Sequence, residues 1–189
     1  MRLAGPRIDP RRKALVAEAA GKVLELGVGT GQNLRFYAPG VRVVGVEPDA
    51  GMLRAAVPRA ASAPASIQLI LGAGEALPFE DDAFDQVVAS LVLCSVTSPT
   101  QVLTEVRRVL KPDGLLRFYE HVRSDSAGWA RMQDLITPVW KRLADGCCPN
   151  RATVDAIQRA GFVVESLETF PLGLYPTRPQ VLGVARRRG

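Results

Sequence analysis

The apolar positions of this chain fall into short blocks whose period switches repeatedly between two and about 3.6 residues. Residues 22–26 (KVLEL), 41–46 (VRVVGV), 67–71 and 84–90 (FDQVVAS) are short and rich in β-branched or buried-type side chains, the pattern of strands. Residues 99–110 instead place Val102, Leu103, Val106, Val109 and Leu110 at helical spacing, and Lys111-Pro112-Asp113-Gly114 turns the chain into a fifth strand over 115–122. Further helices are expected from the Asp9-Pro10 cap pair to about Ala20, over 32–37, from Asp49 to Arg59, and around 126–143 and 151–160. Two last strands, 162–170 and 180–185, close the chain. Strands alternating with helices predict an α/β fold: a doubly wound, mostly parallel, seven-stranded Rossmann-like sheet covered on both faces. Ligands of such sheets bind at the carboxyl ends of the strands, at a topological switch point.

The length of 189 residues suits a single domain, and residues 123–150 lie between the fifth strand and the next helix as an expected lid. The net charge of +5 is unevenly placed. Arg2, Arg7, Arg11, Arg12, Lys13 and Arg186 to Arg188 supply eight of the 24 basic residues, against Asp9 alone among the 19 acidic ones. The remaining body, with 16 basic and 18 acidic residues, is slightly acidic, so no nucleic-acid face is expected and the basic ends read as solvated tails. No apolar run reaches the length of a membrane span, and the first 13 residues do not read as a secretory signal. Three cysteines, Cys94, Cys147 and Cys148, with one histidine and no C-x-x-C, describe neither a disulfide framework nor a zinc spacing. A cytoplasmic monomer with reduced thiols and no metal follows as the expectation.

Chemistry enters with Glu25-Leu26-Gly27-Val28-Gly29-Thr30-Gly31, a loop that leaves the first strand. Glycines at every second position let backbone approach a ligand without side-chain interference. Glu47, 20 residues after Gly27 and at the end of the second strand, suits a carboxylate that accepts from both ribose hydroxyls of an adenosine. The dinucleotide fingerprint G-x-G-x-x-G fails, because Gln32 or Leu34 stands where its third glycine belongs. A ligand with an amino-acid end fits instead, its ammonium favoured by Glu25.

E-L-G-V-G-T-G, followed by V-G-V-E-P and G-E-A-L-P-F, resembles the class I S-adenosylmethionine-dependent methyltransferases. More narrowly, residues 90–96 (SLVLCSV), 105–112 (EVRRVLKP), 120–122 (EHV) and 145–147 (DGC) resemble the membrane-associated alkyl thiol S-methyltransferases, over about residues 20–185. The resemblance implies S-adenosyl-L-methionine as cofactor, with Glu25, Gly27, Gly29, Gly31, Glu47 and Pro48 around it. It also implies Met52 beside the adenine, Ala73, Gly74 and Glu75 framing its edge, and Ser90 and Leu91 beneath the sulfonium. Ala73 departs from the acidic residue of many relatives, so adenine recognition falls to backbone groups or Glu75. The apolar anchoring segment of the animal enzymes has no counterpart here, which leaves peripheral contact as the expected relation to a membrane.

The implied reaction moves a methyl group to a small, fairly apolar acceptor, a thiol first. An N-, O- or C-acceptor on a lipid headgroup, quinol or natural-product scaffold is the alternative, and an inactive cofactor-binding regulator the reading from another class. His121, at the end of the fifth strand, is the candidate base, or else a structural histidine. Glu120 beside it should face the other side of the sheet. Cys94 is either a packed thiol or part of the acceptor site. Trp129, Met132, Ile136 and Trp140 form one helical stripe, either core or a roof over the acceptor, with Phe170, Leu172, Leu174 and Tyr175 as a second wall.

Overall fold

In the computed structural model, which describes residues 9–188, the expected strands join one seven-stranded sheet. They are β1 (Lys22–Leu26), β2 (Arg42–Glu47), β3 (Ser66–Leu71), β4 (Phe84–Ser90), β5 (Leu110–His121), β6 (Phe162–Pro171) and β7 (Pro179–Arg187). Their order is β3-β2-β1-β4-β5-β7-β6, with β1 to β5 parallel and β7 antiparallel to β5 and β6. The helices are α1 (Asp9–Val16), α2 (Ala50–Ala61), α3 (Pro99–Val109), α4 (Ala127–Leu143) and α5 (Thr153–Arg159). Chain order reverses between β1 and β4, so the connections leaving these strands part to opposite sides and open a crevice at their carboxyl ends.

Alternation along the strands sorts the core into two buried clusters. Val23, Val43, Val88 and Tyr119 pack with Leu15 and Val16 of α1 and with Tyr37. Leu24, Leu26, Val44, Val87, Leu116 and Phe118 pack with Val102 and Val106 of α3 and Ile157 of α5. The register pairs Val23 with Val43, Glu25 with Val88, and Ser90 with Tyr119. Since side chains alternate, Glu25, Glu47, Ser90 and His121 therefore share the α1 face at adjacent strand ends, whereas Glu120 takes the opposite face.

Four expectations are corrected. Residues 32–37 form no α-helix, only a 3-10 turn at Leu34–Phe36. Pro39 biases Ala38 away from helix, and Asn33, Leu34 and Tyr37 are buried, so packing rather than helical bonding holds this segment. The first helix stops at Val16 rather than Ala20, where Ala19 N–H bonds back to the Val16 carbonyl at 3.0 Å. β5 begins at Leu110 because buried Leu110 already pairs with Phe84, and the register irregularity between Phe84 and Gln86 absorbs Lys111 to Gly114. Nor are the basic ends simply solvated tails. Arg11 stacks on Phe170, Arg186 pairs with Glu165 at 2.5 Å, and Arg187 pairs with Asp82 and the Leu110 carbonyl. β7, paired on both sides by β5 and β6, runs far enough to include Arg186 and Arg187. The expectations for residues 1–8, including Arg2, Arg7 and the secretory-signal reading, lie outside the described residues.

Packing between β5 and β7 depends on a missing side chain. A Cβ on Gly183 would sit 2.5 Å from Phe118 Cζ and 2.7 Å from the Ser166 carbonyl oxygen. Gly183→Ala is expected to cost about 1–3 kcal/mol by overpacking, read as a lower urea midpoint, and Phe118→Leu in the same chain is expected to recover part of it.

Candidate active site

The glycine loop follows β1 directly. Gly27, Gly29 and Gly31 have φ of 56°, 56° and 79°, a region that side chains enter at a cost. A Cβ on Gly27 would lie 2.6 Å from Val92 Cγ2, and one on Gly31 2.9 Å from Leu34 Cδ1, whereas one on Gly29 would meet only the Gly27 carbonyl oxygen, at 3.8 Å. Glu47, buried at the end of β2, accepts from Gly29 N–H at 2.9 Å through Oε2 and from Asp49 N–H at 3.1 Å through Oε1. A carboxylate offers about four acceptor positions, so two remain for hydroxyl donors.

Glu25 is 1% exposed; its Oε1 accepts from Asn33 Nδ2 at 2.8 Å, while Oε2 is buried without a partner. Burial lifts its pKa to about 7, against the opposing pull of neighbouring Tyr37, Asn33 and Arg12. An acceptor orphaned in this way suits a cationic ligand group such as an ammonium. Arg12 of α1 donates through Nη1 to Asn33 Oδ1 at 3.0 Å and to Ser90 Oγ at 3.1 Å. It thus stands between the ends of β1 and β4, a position hidden from the sequence because Arg12 lies in a run of basic residues.

The other expected cofactor positions lie just beyond, or at, the carboxyl ends of β2, β3 and β4. Pro48 and Met52 are exposed at the start of α2, where Asp49 Oδ1 caps Met52 N–H at 2.7 Å. Ala73, Gly74 and Glu75 follow β3. The Glu75 carboxylate is turned instead to the loop before α3, accepting from Thr97 N–H at 3.1 Å. An adenine-edge contact is therefore left to the backbone of this segment. Leu91 has φ of 61°, a strained value for a branched side chain, and its N–H bonds to the Tyr119 carbonyl at 2.7 Å.

Beyond Leu91 the loop is held from beneath. Glu120, fully buried, accepts from the N–H groups of Val92, Leu93 and Cys94 at 2.9, 2.8 and 3.0 Å. Burial raises its pKa, and the three donors pull it down in part. From above, Cys148 N–H bonds to the Cys94 carbonyl at 2.7 Å, and Arg151 donates to the carbonyls of Leu93 and Val96 at 2.5 and 2.7 Å. These bonds join the 92–96 segment to the end of the lid. As a result Cys94 Sγ, Cys147 Sγ and His121 Nδ1 converge, with Cys94–Cys147 at 3.9 Å, Cys94–His121 at 3.7 Å and Cys147–His121 at 3.4 Å. The pair shares its protons unequally: a hydrogen bond between the sulfurs, then burial, raises Cys94, while the same bond lowers Cys147. The expectation that no metal-ligand set exists meets a cluster of one imidazole and two thiols, assembled from three separated segments.

The lid itself is fastened by Gln133, a residue without a sequence signal. It is fully buried, with Nε2 2.9–3.1 Å from the carbonyls of Val122, Pro149 and Pro176. Trp129 stacks on Tyr175 at 3.7 Å and joins α4 to the β6–β7 connection. Trp129, Met132, Ile136 and Trp140 belong to neither buried cluster, so the stripe is not core. A cavity of about 590 Å³ is lined by Val122, Arg151, Thr153, Phe170 and Tyr175 among others; Cys94, Trp129 and Trp140 do not line it.

Comparison with known proteins places this arrangement. Residues 24–118 match the family model described as Methyltransferase domain. Human thiol S-methyltransferase TMT1B is 40% identical over 176 residues, 88% of this chain and 72% of that protein. Human thiol S-methyltransferase TMT1A is 35% identical over 178 residues, 89% of this chain and 72% of that protein. The chain belongs to the methyltransferase family. A solved structure from Bacillus halodurans shares the fold of this methyltransferase, with a TM-score of 0.77 at 17% identity, over 98% of this chain and 100% of that one. The seven-stranded sheet is thus the class I, Rossmann-like fold, and family and fold together imply S-adenosylmethionine use.

Glu25 makes the stability of this methyltransferase depend on pH. Its carboxyl binds a proton up to about pH 7 when folded but only to about 4.5 when unfolded, so the folded state holds more protons between these values. Stability of the ligand-free protein is expected to fall from pH 5 to pH 7.5, by up to about 3 kcal/mol from this group. Glu25→Gln should flatten that part of the profile in urea unfolding at the two pH values.

Proposed function

We propose that this methyltransferase transfers the methyl group of S-adenosyl-L-methionine to a small, fairly apolar thiol. The observation that carries it is the placement, along the carboxyl ends of the four consecutive strands β2, β1, β4 and β5, of an adenosine-type grip (Glu47 and the glycine loop) and a sulfur-and-imidazole cluster around His121. The names of its human relatives, both thiol S-methyltransferases, support the choice of acceptor.

When bound, the cofactor supplies a methyl group already activated on a sulfonium; the residues of this chain align, orient and exclude water. Glu47 takes the ribose hydroxyls, Glu25 the ammonium, and Arg12 the carboxylate of the amino-acid end. Met52 covers the adenine, with Ala73, Gly74 and Glu75 at its edge through backbone groups. Ser90 and Leu91 would hold the sulfonium end. Cys94 and Tyr175 bound the acceptor side and Trp129 and Trp140 belong to the lid helix that closes it, where alignment of the two sulfurs is worth about 7–11 kcal/mol. His121 favours the thiolate form of the acceptor, its Nδ1 edge facing the two cysteines.

The protein acts in the cytoplasm as a monomer with peripheral membrane contact. Among the described residues no helix is long and apolar enough to cross a membrane. Leu135, Val139 and Leu143, 80%, 59% and 67% exposed at i, i+4 and i+8 on α4, form an apolar stripe next to Arg131, Lys141 and Arg142, the pattern of a helix that lies on an anionic lipid surface.

Purified protein with methyl-labelled cofactor and a panel of alkyl thiols, phenols, amines and lipids tests the acceptor. Label on thiols alone is expected; label confined to lipids, quinols or amines would shift the acceptor atom, and cofactor binding without any turnover would make the chain a regulator. Glu47→Ala should weaken S-adenosylhomocysteine binding by about 3 kcal/mol, a hundredfold or more, in calorimetry. His121→Ala should slow methylation of alkyl thiols far more than of acidic aryl thiols, because the latter are already ionised near neutral pH. Leu135→Glu with Val139→Glu should abolish co-flotation with anionic vesicles while turnover on a water-soluble thiol persists.

A further inference from the structure

The cluster of Cys94, His121 and Cys147 has a shape that thiol packing does not require. Three atoms of a tetrahedral zinc site, with Zn–S of about 2.3 Å and Zn–N of about 2.0–2.1 Å, lie about 3.8 Å apart between sulfurs and about 3.6 Å apart between sulfur and nitrogen. The edges of the cluster are 3.9 Å between the sulfurs, and 3.7 and 3.4 Å from the sulfurs to Nδ1. All three thus agree with one face of a tetrahedron to within roughly the tolerance expected of a preformed site.

The three ligands are also independently anchored. Cys94 is pinned by Glu120 through its N–H and by Cys148 through its carbonyl. Cys147 follows Gly146, whose φ of 83° turns the chain where an added Cβ would come within 2.9 Å of the Ser95 carbonyl. His121 ends β5, paired with Gln180 of β7. Backbone bonds to two strand ends and the lid therefore hold the donor atoms where an ion would place them, at a distance from one another in sequence that no local motif reveals.

We infer that Cys94, His121 and Cys147 bind one thiophilic divalent cation of the zinc type, whose open fourth position takes the acceptor thiol as its thiolate. The inference rests on the thiol-methyltransferase function proposed above and names what His121 does there: it is a ligand through Nδ1. Two thiols and an imidazole are a soft, borderline donor set suited to zinc and its congeners, and three protein ligands with one open position mark catalytic rather than structural zinc sites. On binding, the Cys94 and Cys147 thiols release their protons to solvent. The acceptor thiol does the same as its sulfur becomes the fourth ligand, so the cation stands in for a general base.

The test uses the full chain, reduced with a thiol-free phosphine and freed of metal. Cobalt(II) is titrated in as a spectroscopic probe, followed by zinc. One equivalent should bind with a sulfur-to-cobalt charge-transfer band and tetrahedral d–d bands, zinc should displace it, and an added alkyl thiol should shift the bands. Cys94→Ser and Cys147→Ser should lose the charge-transfer intensity, while Cys148→Ser keeps it. Each variant is checked for folding by its circular dichroism spectrum and a cooperative urea transition. No stoichiometric binding, or bands unchanged in the folded Cys94→Ser and Cys147→Ser proteins, would overturn the inference. Thiol methylation by metal-free protein at the full rate would overturn it too, yet leave the thiol-methyltransferase function standing. Absence of thiol methylation with or without zinc would instead remove that function.

Discussion

The carboxylate of Glu120 governs the loop that leaves β4, on which the proposed acceptor side is built. A charge-bearing group with no solvent exposure is costly unless donors meet it, and here three consecutive backbone N–H groups do so. The bonds fix the direction of the chain as it leaves β4, immediately after the strained Leu91. Because Cys94 is one of the three donors, its thiol is placed by the same interaction, and the lid is then registered on it through Cys148 and Arg151. The rigidity of the site therefore originates on the opposite face of the sheet from the site itself.

Buried carboxylates recur at the strand ends, and each is compensated differently. Glu47 is paired with two backbone donors and keeps spare acceptor capacity. Glu25 keeps an orphaned oxygen, and burial dominates its protonation. Glu120 is closed by its three donors. The first two remain available to a ligand and the third serves the framework, a division that follows from which sheet face the alternation of side chains assigns to each. Sites of this kind give up stability for preorganisation, which is where local rules are expected to be broken.

Family and fold settle that the chain is a methyltransferase, but a fold carries many acceptors, and the acceptor is decided by side chains outside the cofactor half. The family match covers residues 24–118, whereas His121, the lid and Cys147 lie beyond it. Cys94 lies inside that match, so the sulfur-and-imidazole cluster straddles its boundary, and two of its three members fall where the relatives named above supply the comparison and the general family model does not.

Amino-acid order alone determined the architecture and the position of the glycine loop and Glu47 at neighbouring strand ends. Period-two and helical patterns marked the strands and most helices, because one buried face imposes each period, and the glycine loop with Glu47 was legible because strand-end spacing is set by local chain geometry. Other features depended on partners distant in sequence. Arg12 lay in a basic run until α1 packed beside β1 and β4; Gln133 gave no signal because its three carbonyl partners come from separate loops. The 32–37 segment departs from helix because burial of Asn33 and Tyr37 outweighs its helical propensity. Cys94, His121 and Cys147 are separated by 27 and 26 residues, and only the parallel order of β4 and β5, with the lid folded back over them, brings two sulfurs and a nitrogen together. Periodicity records which face a residue turns to the core; it holds no information on which distant strand end that face will meet.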